Sequence, residues 1–517
     1  MIEARTVPGV YIKELNAFPN SVVEVATALP VFIGYTQQAS YQGKSLANKV
    51  VQISSLNDYV AFFGKGPSPQ YTLAEWTKPT PANPAADITG LNGKSYTVTA
   101  VPGSMFYLFN SIQLFFQNGG GNAYVVSVGS YAAAPQLTDF LPASTPNVFN
   151  LLESAQDPTL IVMPDAPLLP INDYFTLMNE SLNHCSIVQS RMTLMDIYDN
   201  TVADSLTFHA LAASQKDPIN VFRAGVTSSF LNYGAAYYPW LNTSIVPSSQ
   251  VTYQNLVGGF GPVADSDTST PAAQKIATAV AGILKLIPAG TAPLDPMVLT
   301  KTHNALLAVS PNYISLMGVL SQKMNLLPAA SAIAGVIATV DGSQGVWKAP
   351  ANVGLISVQS GLLNIDDNLQ DNMNVDAISG KSVNAIRFFT GQGVLVWGGR
   401  TLDGNSQDWR YINVRRTLIM IEQSVKLAAR AYVFEANDAN TWLNLKSTIE
   451  NFLTGIWKQG GLAGAKASDA FSVYVGLGST MTSQDILDGY LDIAVYVAVT
   501  HPAEFIEITF QQQLQKS

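Results

Sequence analysis

Residues 105–128, MFYLFNSIQLFFQNGGGNAYVVSV, indicate the fold class of the chain. They begin with an apolar helix-like stretch and end with AYVVSV, which has the composition of a buried strand. The same order recurs twice more, with helix-like segments at 148–155 and 173–184 and apolar strands at 158–165 and 190–199. Apolar strands separated by helices are typical of βαβ units in a mostly parallel sheet. We therefore predict a three-layer α/β domain between about 105 and 240, in a chain of mixed α+β class.

The segments around this domain carry further signals. Alternating Val23 and Val25 and the apolar run 31–33 predict strands near the start of the chain. Residues 271–340 are rich in Ala and Leu and predict helices. Residues 64–103 are rich in Pro, Ala, Thr and Gly, which favours a surface excursion.

The C-terminal part predicts one long helix with a marked end. One apolar face of this helix is formed by Leu445, Ile449, Phe452 and Ile456. Gly460 then supplies a stop, because glycine readily adopts the left-handed conformation that ends helices. Thr482 is predicted to cap a second, short helix that ends at Gly489.

The last residues of the sequence, 502–517, have the pattern of a strand with one buried face. Ile506, Ile508 and Phe510 fall on one side of an extended chain, and polar residues fall on the other. No turn or partner strand follows in the sequence. We therefore expect this strand to join a sheet edge that lies elsewhere.

Length and composition exclude several classes of protein. A chain of 517 residues is too long for one core and predicts two or three domains. Only 12% of the residues are charged, against about 25% in ordinary soluble domains, which favours an assembly subunit with much covered surface. The net charge of −9 and the lack of a Lys/Arg run argue against a nucleic-acid partner. The single cysteine, Cys185, excludes an internal disulfide and suits a reducing compartment.

The sequence also predicts a protein that does not insert into a membrane. The first residues, MIEARTVPGVYIKEL, carry charges where a signal peptide needs an apolar core. The apolar stretch 276–287 is shorter than the roughly 20 residues of a membrane span, and Lys285 interrupts it.

Two glycine motifs resemble phosphate-binding loops without meeting their requirements. GKS occurs at Gly43, Gly93 and Gly380, but the glycine required five residues earlier is replaced by Gln38, Ile88 and Val375. The run Gly119–Gly121 precedes a strand, whereas a dinucleotide fingerprint follows one. A helix end with a tight turn is the favoured interpretation, and no cofactor is predicted.

A serine hydrolase is the alternative from another class of function. Residues 476–485, GLGSTMTSQD, resemble the serine segment of subtilisin-type hydrolases, with Ser479 as nucleophile. Such a serine needs a positioned base and an orienting acid. No histidine stands in a glycine-flanked motif, and Asp196 is a lone aspartate at a strand end. The interpretation of Thr482 as a helix cap requires no further partner, so we predict no enzymatic activity.

Two polar groups could suggest a metal ion. His184 and Cys185 are adjacent, so they point in different directions and lack a second pair of ligands. The acidic stretch 364–376, NIDDNLQDNMNVD, lacks the glycine and terminal glutamate of a calcium loop. A solvated loop between domains is predicted there, and no metal site.

Several motifs in order resemble the contractile tail sheath family, nearest to the sheaths of extracellular phage-tail-like contractile injection systems. These motifs are PGVYIKE at 8–14, AAYYPWL at 235–241, GVWKAPAN at 345–352, GVLVWGGRTLDGNSQDWRYINVRRT at 393–417, FEANDANTW at 434–442, FLTGIWKQGGLAGAKASDAF at 452–471 and HPAEFIEITFQQQ at 501–513. The likeness extends from one end of the chain to the other.

The resemblance implies a division into domains. A sheath core domain would combine 23–63 with 395–502, and a subtilisin-like but non-catalytic α/β domain would be inserted at 105–394. Residues 64–104 would be a surface insertion. Two linkers would complete the chain, an N-terminal arm at 1–22 and a C-terminal strand at 503–517.

The resemblance also implies a function. Family subunits form stacked hexameric rings around an inner tube and contract to drive the tube through a target envelope. The expected partners are further copies of the chain, the inner tube protein, baseplate and terminal cap proteins, and sheath paralogues. Assembly is expected in the bacterial cytoplasm, before the particle is released or forms part of a virion. A non-contractile tube or scaffold protein is a third hypothesis.

The family's functional residues transfer by motif. The arms that add strands to neighbouring subunits would be Val10, Tyr11 and Ile12 at one end and Phe505, Ile506, Ile508 and Phe510 at the other. Arg400, Arg410, Arg415 and Arg416 are candidates for salt links between domains or subunits, with local surface pairs as the alternative.

Two departures from the family pattern affect the core domain. Glu435-Ala436-Asn437 stands where Glu-Pro-Asn is expected, which would loosen that turn. His501-Pro502 replaces Arg-Pro, which removes one candidate salt link. The helix that contacts the inner tube is expected at 416–430 or at 482–488.

Overall fold

The computed structural model describes residues 22–79, 85–143, 146–197, 217–287, 295–376 and 378–507. Its strands are β1 (Pro30–Thr36), β2 (Ser40–Tyr41), β3 (Lys44–Ser45), β4 (Val51–Ile53), β5 (Tyr71–Glu75), β6 (Ile88–Leu91), β7 (Lys94–Ala100), β8 (Ala123–Ser130), β9 (Leu160–Val162), β10 (Met192–Asp196), β11 (Gly234–Tyr238), β12 (Leu241–Thr243), β13 (Leu326–Leu327), β14 (Val353–Gly354), β15 (Val358–Gly361), β16 (Asn384–Phe389), β17 (Gly393–Trp397), β18 (Phe471–Val475) and β19 (Ile493–Val497).

The α-helices are α1 (Leu56–Phe63), α2 (Leu108–Gln117), α3 (Leu137–Phe140), α4 (Val148–Ser154), α5 (Ile171–Val188), α6 (Pro218–Gly225), α7 (Pro271–Leu284), α8 (Pro296–Val309), α9 (Pro311–Met324), α10 (Ala330–Gln344), α11 (Asp367–Asn374), α12 (Ile412–Ala429), α13 (Ala439–Lys458), α14 (Ala467–Ala470) and α15 (Ser483–Leu487). The mixed α/β class predicted from the sequence is confirmed.

The chain forms two compact units. The first unit joins the residues up to Val25 with Thr417–Thr500. The second unit contains Ala26–Arg416 and the residues from His501 onward. Each unit therefore combines segments that are distant in the sequence.

The second unit is built on one large sheet, which confirms the predicted βαβ organisation. Its nine strands lie in the order β14-β17-β16-β11-β10-β9-β1-β8-β4. The strands from β16 to β8 pair in parallel, and antiparallel pairs close both edges. The central strands β1, β9 and β10 are buried along their whole length, as expected of a parallel sheet with both faces covered.

The parallel strands follow a doubly wound order with one switch point. β1 lies between β8 and β9, so the chain leaves β1 to one side and later returns to the other. In open α/β sheets, ligands bind beyond the carboxyl ends of the strands at such a point. The carboxyl ends of β1 and β9 are therefore the first place to examine for a binding site.

The first two turns of helix α10, 330–337, are buried on all sides, and the helix packs against α2, β9 and β10. The close approach depends on Gly335, where a Cβ atom would lie 2.6 Å from the backbone oxygen of Phe115. Small residues thus let two helix backbones meet above the sheet.

A second hydrophobic core lies under helices α7, α8 and α9. It joins these helices to a three-stranded sheet in the order β5-β7-β6, through buried Tyr71, Val98, Leu306 and Tyr313 among others. The helices predicted within 271–340 are confirmed. The excursion predicted at 64–103 contains regular strands that its Pro- and Gly-rich composition concealed.

In the first unit, α13 confirms the long helix predicted from the sequence. Leu445, Ile449 and Ile456 are buried, while Leu453 takes the inner position that was expected for Phe452. The chain then turns at Gly460, whose φ of 86° is left-handed. Thr482 accepts a hydrogen bond from the backbone N–H of Asp485 and caps α15, as predicted.

Two local predictions were wrong. Residues 22–29 form no strand, although Val23 and Val25 alternate; the N–H of Val25 instead donates to Ser424 Oγ at 3.1 Å. The predicted loop at 364–376 contains helix α11, which Asp366 caps by accepting from the N–H of Leu369. In that stretch the acidic residue is a helix cap, and buried Leu369 and Met373 hold the helix in place.

Candidate assembly site

The switch point of the sheet is filled by a side chain of the protein itself. Asp165 follows β9, and its Oδ2 accepts the N–H of Tyr35 at 2.8 Å. Its Oδ1 accepts the N–H groups of Tyr107 at 2.5 Å and Leu108 at 3.3 Å, at the start of α2. A Cβ atom on Gly34 would lie 2.4 Å from Asp165 Oδ2. The carboxylate therefore occupies the position where an anionic ligand would meet the helix.

A second buried aspartate lies at the end of the neighbouring parallel strand. Oδ1 of Asp196, which ends β10, accepts the N–H of Ala330 at 2.8 Å and so caps α10. Burial raises the pKa of Asp196 to about 7 and that of Asp165 to about 6, against the lowering effect of these backbone donors. Both carboxylates at the carboxyl edge thus hold helices in place.

The residues of the hydrolase hypothesis do not form a catalytic arrangement. His184 stacks on Phe149, His303 is hydrogen-bonded to Tyr313, and His501 lies edge-on to Tyr411. His209 lies outside the described residues. The N–H of Ser479 donates to the carbonyl of Gly476 within the turn before α15. Each described histidine thus packs against an aromatic ring, which does not suit a base that must reach a serine.

The described part of the chain contains no group of three or more His, Cys, Asp or Glu side chains placed to hold a metal ion. His184 and Cys185 are both buried in α5. Among the described residues, no helix has the length and apolar character needed to cross a membrane.

Two of the four predicted arginines form buried ion pairs within the second unit. Arg400 holds Glu504 with two nitrogens, Nε at 2.9 Å from Oε1 and Nη2 at 2.5 Å from Oε2. Arg416 holds Asp341 in the same bidentate manner, at 2.8 and 2.5 Å. Such paired hydrogen bonds fix direction as well as distance.

The other two arginines are held differently. Arg410 donates from Nε to the carbonyl of Ser406 at 2.8 Å. Arg415 lies over the rings of Tyr233 and Trp409, at 4.6 and 4.7 Å from their centroids. The proposed role of all four arginines in links between subunits stays a prediction.

The described start of the predicted C-terminal arm, 503–507, lies outside any strand, and its residues 505–507 are exposed. Residues 501–507 form no strand, and the side chains of Phe505 and Ile506 are 77% and 79% exposed. The remaining predicted arm residues, Val10, Tyr11, Ile12, Ile508 and Phe510, lie outside the described residues.

A two-stranded ribbon in the first unit offers sheet edges to such arms. β18 and β19 pair antiparallel over five residues each, from Phe471 opposite Val497 to Val475 opposite Ile493. Among the described residues no third strand joins this ribbon, and a single bridge between Leu462 and Val499 lies beyond its end. Strand β18 packs against α13, so the ribbon is supported on one face while its long edges stay free to pair with further strands.

The two segments that were predicted to contact the inner tube both lie in regular helices. Residues 416–430 overlap α12, and 482–488 overlap α15. Leu487, the last residue of α15, is 80% exposed, and Tyr490 just after the helix is 61% exposed. Contact with an inner tube stays a prediction for both helices.

The turn with the Ala436 departure is held by side chains. Asn437 donates from Nδ2 to the carbonyl of Tyr490 at 2.8 Å and accepts from Trp442 Nε1 at 2.7 Å. Asp438 then caps α13. These hydrogen bonds hold the turn without the expected proline.

Comparison with known proteins extends the likeness beyond single motifs. Residues 405–513 match the family described as phage tail sheath C-terminal domain. The chain is 27% identical over 173 residues to a tail sheath protein of Vibrio phage KVP40, which is 34% of this chain and 25% of that relative. The match therefore spans a quarter of the relative's length.

Solved structures match over nearly the whole chain. The helical sheath of the anti-feeding prophage in its contracted state is 26% identical, covers 98% of this chain and 100% of its own, and has a TM-score of 0.56. A chain of the six-fold symmetrised baseplate of that prophage is 25% identical, with 99% and 100% covered and a TM-score of 0.56. The contracted sheath complex of PVC, an extracellular contractile injection system, is 24% identical, with 98% of both chains covered and a TM-score of 0.55. At 24% identity, the similarity to the PVC sheath shows a shared fold.

Taken with the parallel sheet and the open ribbon, these similarities identify the chain as a homologue of tail sheath proteins, whose residues 405–513 match the phage tail sheath C-terminal domain.

Proposed function

We propose that this chain is the structural subunit of a contractile sheath that polymerises around an inner tube. The observation that carries the proposal is the β18–β19 ribbon, which has unpaired edges among the described residues of a chain whose residues 505–507 are exposed and lie outside any strand. The fold likeness to contracted sheaths of two injection systems supports it.

Strand addition would join the subunits. An added strand gains main-chain hydrogen bonds along the ribbon, and its alternate side chains fill pockets that select the right partner. The N-terminal arm around Val10, Tyr11 and Ile12 and the C-terminal arm around Phe505, Ile506, Ile508 and Phe510 are the proposed donors. Because donor and acceptor surfaces differ, the contact is heterologous and repeats into rings and helical filaments.

The finer features of the assembly follow the family pattern. The subunits would form stacked hexameric rings, with a baseplate at one end, a terminal cap at the other and sheath paralogues in the same particle. Contraction would convert a metastable extended packing into one of lower energy, so the stroke would need no fuel and the chain no catalytic site. Assembly would take place in the bacterial cytoplasm before the particle is released.

The domain division predicted from the sequence forms part of this proposal. The arms at 1–22 and 503–517 would link core domains made from 23–63 and 395–502, although β1 and β4 of the first segment pair in one sheet with β8 and β9 of 105–394. The segments 64–104 and 105–394 would face away from the tube. Buried carboxylates that close the switch point support a structural role for the sheet.

Truncation after Ala503 tests the proposal. The purified full chain should assemble into long helical tubes that electron microscopy can measure, and the truncated chain should remain as monomers or short oligomers. The control is Glu507→Gln, which changes one exposed residue of the arm and keeps its length. Long tubes from the truncated chain, indistinguishable from those of the full chain, would show that the arm is not the connector.

A further inference from the structure

The C-terminal arm leaves the second unit at a residue that is held from several sides. Besides the two nitrogens of Arg400, Glu504 accepts from Asn374 Nδ2 at 2.9 Å and from the Tyr411 hydroxyl at 3.2 Å. The next residues, Phe505 and Ile506, are exposed. Among the described residues of the arm, 503–507, Glu504 is thus the last one held by side-chain hydrogen bonds.

The chain is anchored in a similar way where it enters the second unit from the N-terminal side. The carbonyl of Thr27 accepts from Arg416 Nη2 at 3.0 Å and from Thr159 Oγ1 at 2.5 Å. The hydroxyl of Thr27 donates to Asp341 Oδ2 at 2.5 Å. Both the backbone and the side chain of Thr27 are therefore fixed by the Arg416–Asp341 pair.

The two anchoring pairs are more buried than ordinary surface pairs. The side chains of Arg416 and Asp341 are 4% and 6% exposed, and those of Arg400 and Glu504 are 4% and 21% exposed. By contrast, the pair of Lys94 with Glu75 leaves about half of each side chain in solvent. Exposed pairs contribute little, whereas bidentate pairs away from water hold a defined geometry.

We infer that Arg400 is a positioning residue that fixes where the C-terminal arm leaves the second unit, and thereby sets the direction in which this arm reaches a neighbouring subunit; the Arg416–Asp341 pair fixes the chain at Thr27 in the same bidentate manner. This inference rests on the proposed function, because Arg400 has this role only if the arm adds to sheets of other subunits. It extends that function by placing the control of arm direction inside the subunit that donates the arm.

Anchoring would act through the entropy of binding. An arm whose first residue is fixed samples fewer directions, so less freedom is lost when its strand joins an acceptor ribbon. A fixed origin also raises the effective concentration of the strand at the correct ribbon and lowers it at wrong ones. Releasing the anchor should weaken assembly and spread the lattice over several geometries, while the arm itself stays intact.

Two variants of the full chain separate arm direction from arm chemistry. Glu504→Gln removes the charge that Arg400 holds, and Glu507→Gln makes the same change three residues later at an exposed position. A second variant inserts two glycines between Glu504 and Phe505, which keeps the ion pair and frees the arm beyond it. Light scattering gives the protein concentration at which tubes form, and electron microscopy gives their helical pitch and diameter.

We expect Glu504→Gln and the glycine insertion to raise the concentration needed for assembly by about tenfold or more and to broaden the distribution of pitch. Glu507→Gln should behave like the unchanged chain. If Glu504→Gln fails to fold, the glycine insertion carries the test, since it leaves the second unit intact. Normal assembly of the insertion variant would overturn the inference. If the insertion variant assembled normally but truncation after Ala503 abolished the tubes, the inference would fall and the proposed function would stand. Normal tubes from the truncated chain would overturn both the inference and the proposed function.

Discussion

Oδ1 of Asp165 accepts the backbone N–H of Tyr107 at 2.5 Å, so a buried carboxylate at the end of β9 fixes the first turn of α2. We predict that Asp165→Asn lowers the free energy of unfolding by about 1–3 kcal/mol. The amide would keep one acceptor, but its NH₂ group would face a backbone N–H in a site that excludes water. Urea denaturation followed by tryptophan fluorescence measures the loss.

The matched control for this variant is Asp58→Asn, which also alters an aspartate that accepts backbone N–H groups, but on the surface. It should change the unfolding free energy by less than about 1 kcal/mol. Equal losses of unfolding free energy in the two variants would mean that Asp165 at the switch point contributes no more to stability than a surface aspartate.

The raised pKa of Asp196 predicts a pH dependence. Its folded pKa of about 7 exceeds the model-compound value of 3.8, so between these values the folded chain binds more protons than the unfolded chain. This group therefore lowers stability as the pH rises through that interval, by at most about 1.4 kcal/mol per pH unit. Asp196→Asn removes this contribution, so the unfolding free energy of the variant should fall less, or rise more, between pH 5 and pH 8 than that of the unchanged chain. An unchanged difference would indicate that Asp196 titrates at its ordinary pKa.

Loss of a charge from the Arg416 pair should be costly. Asp341→Asn would leave a buried guanidinium without its counter-ion, and we predict a loss of about 3 kcal/mol of unfolding free energy. Asp367→Asn breaks the pair of Arg387 with Asp367, whose side chain is 93% exposed, and should cost less than about 1 kcal/mol. Thermal unfolding of the two variants side by side distinguishes the buried pair from the exposed one, and similar melting temperatures would contradict the assignment.

A fluorophosphonate probe tests the hydrolase alternative. We expect no covalent labelling of the chain, because the described histidines pack against aromatic rings and none is bonded to Ser479. An active subtilisin-type enzyme treated in parallel gives the positive control. Labelling that disappears in Ser479→Ala would revive the hydrolase hypothesis.

Most of the regular fold could be predicted from sequence periodicity. Continuous apolar runs located β8, β9 and β10, and an apolar stripe located α13. Local capping chemistry was also readable, since Thr482 and Asp485 lie three residues apart at the start of α15. These signals depend only on near neighbours in the sequence.

Features that depend on distant residues could not be predicted. Nothing near Asp165 in the sequence indicates that it caps α2, because its partners are Tyr35 and Tyr107. In the same way, Arg400 stood out by its motif, but its partner Glu504 lies far along the chain and was not singled out. The strands of 64–103 lie in a Pro- and Gly-rich stretch typical of loops, and the alternation around Val98 is too short to outweigh that composition.

If strand addition joins the subunits as proposed, the β18–β19 ribbon also limits how many neighbours a subunit can engage. Among the described residues the ribbon has two unpaired long edges, and the proposal gives each chain two donor arms, so the numbers of acceptors and donors would be equal. In an endless lattice built by strand addition every edge could then be filled. At the first and last rows some subunits lack a neighbour, so ribbon edges or arms stay without a partner strand, and unpaired edges promote aggregation. A finite tube of these subunits would therefore need a different protein at each end to cap the unpaired strands.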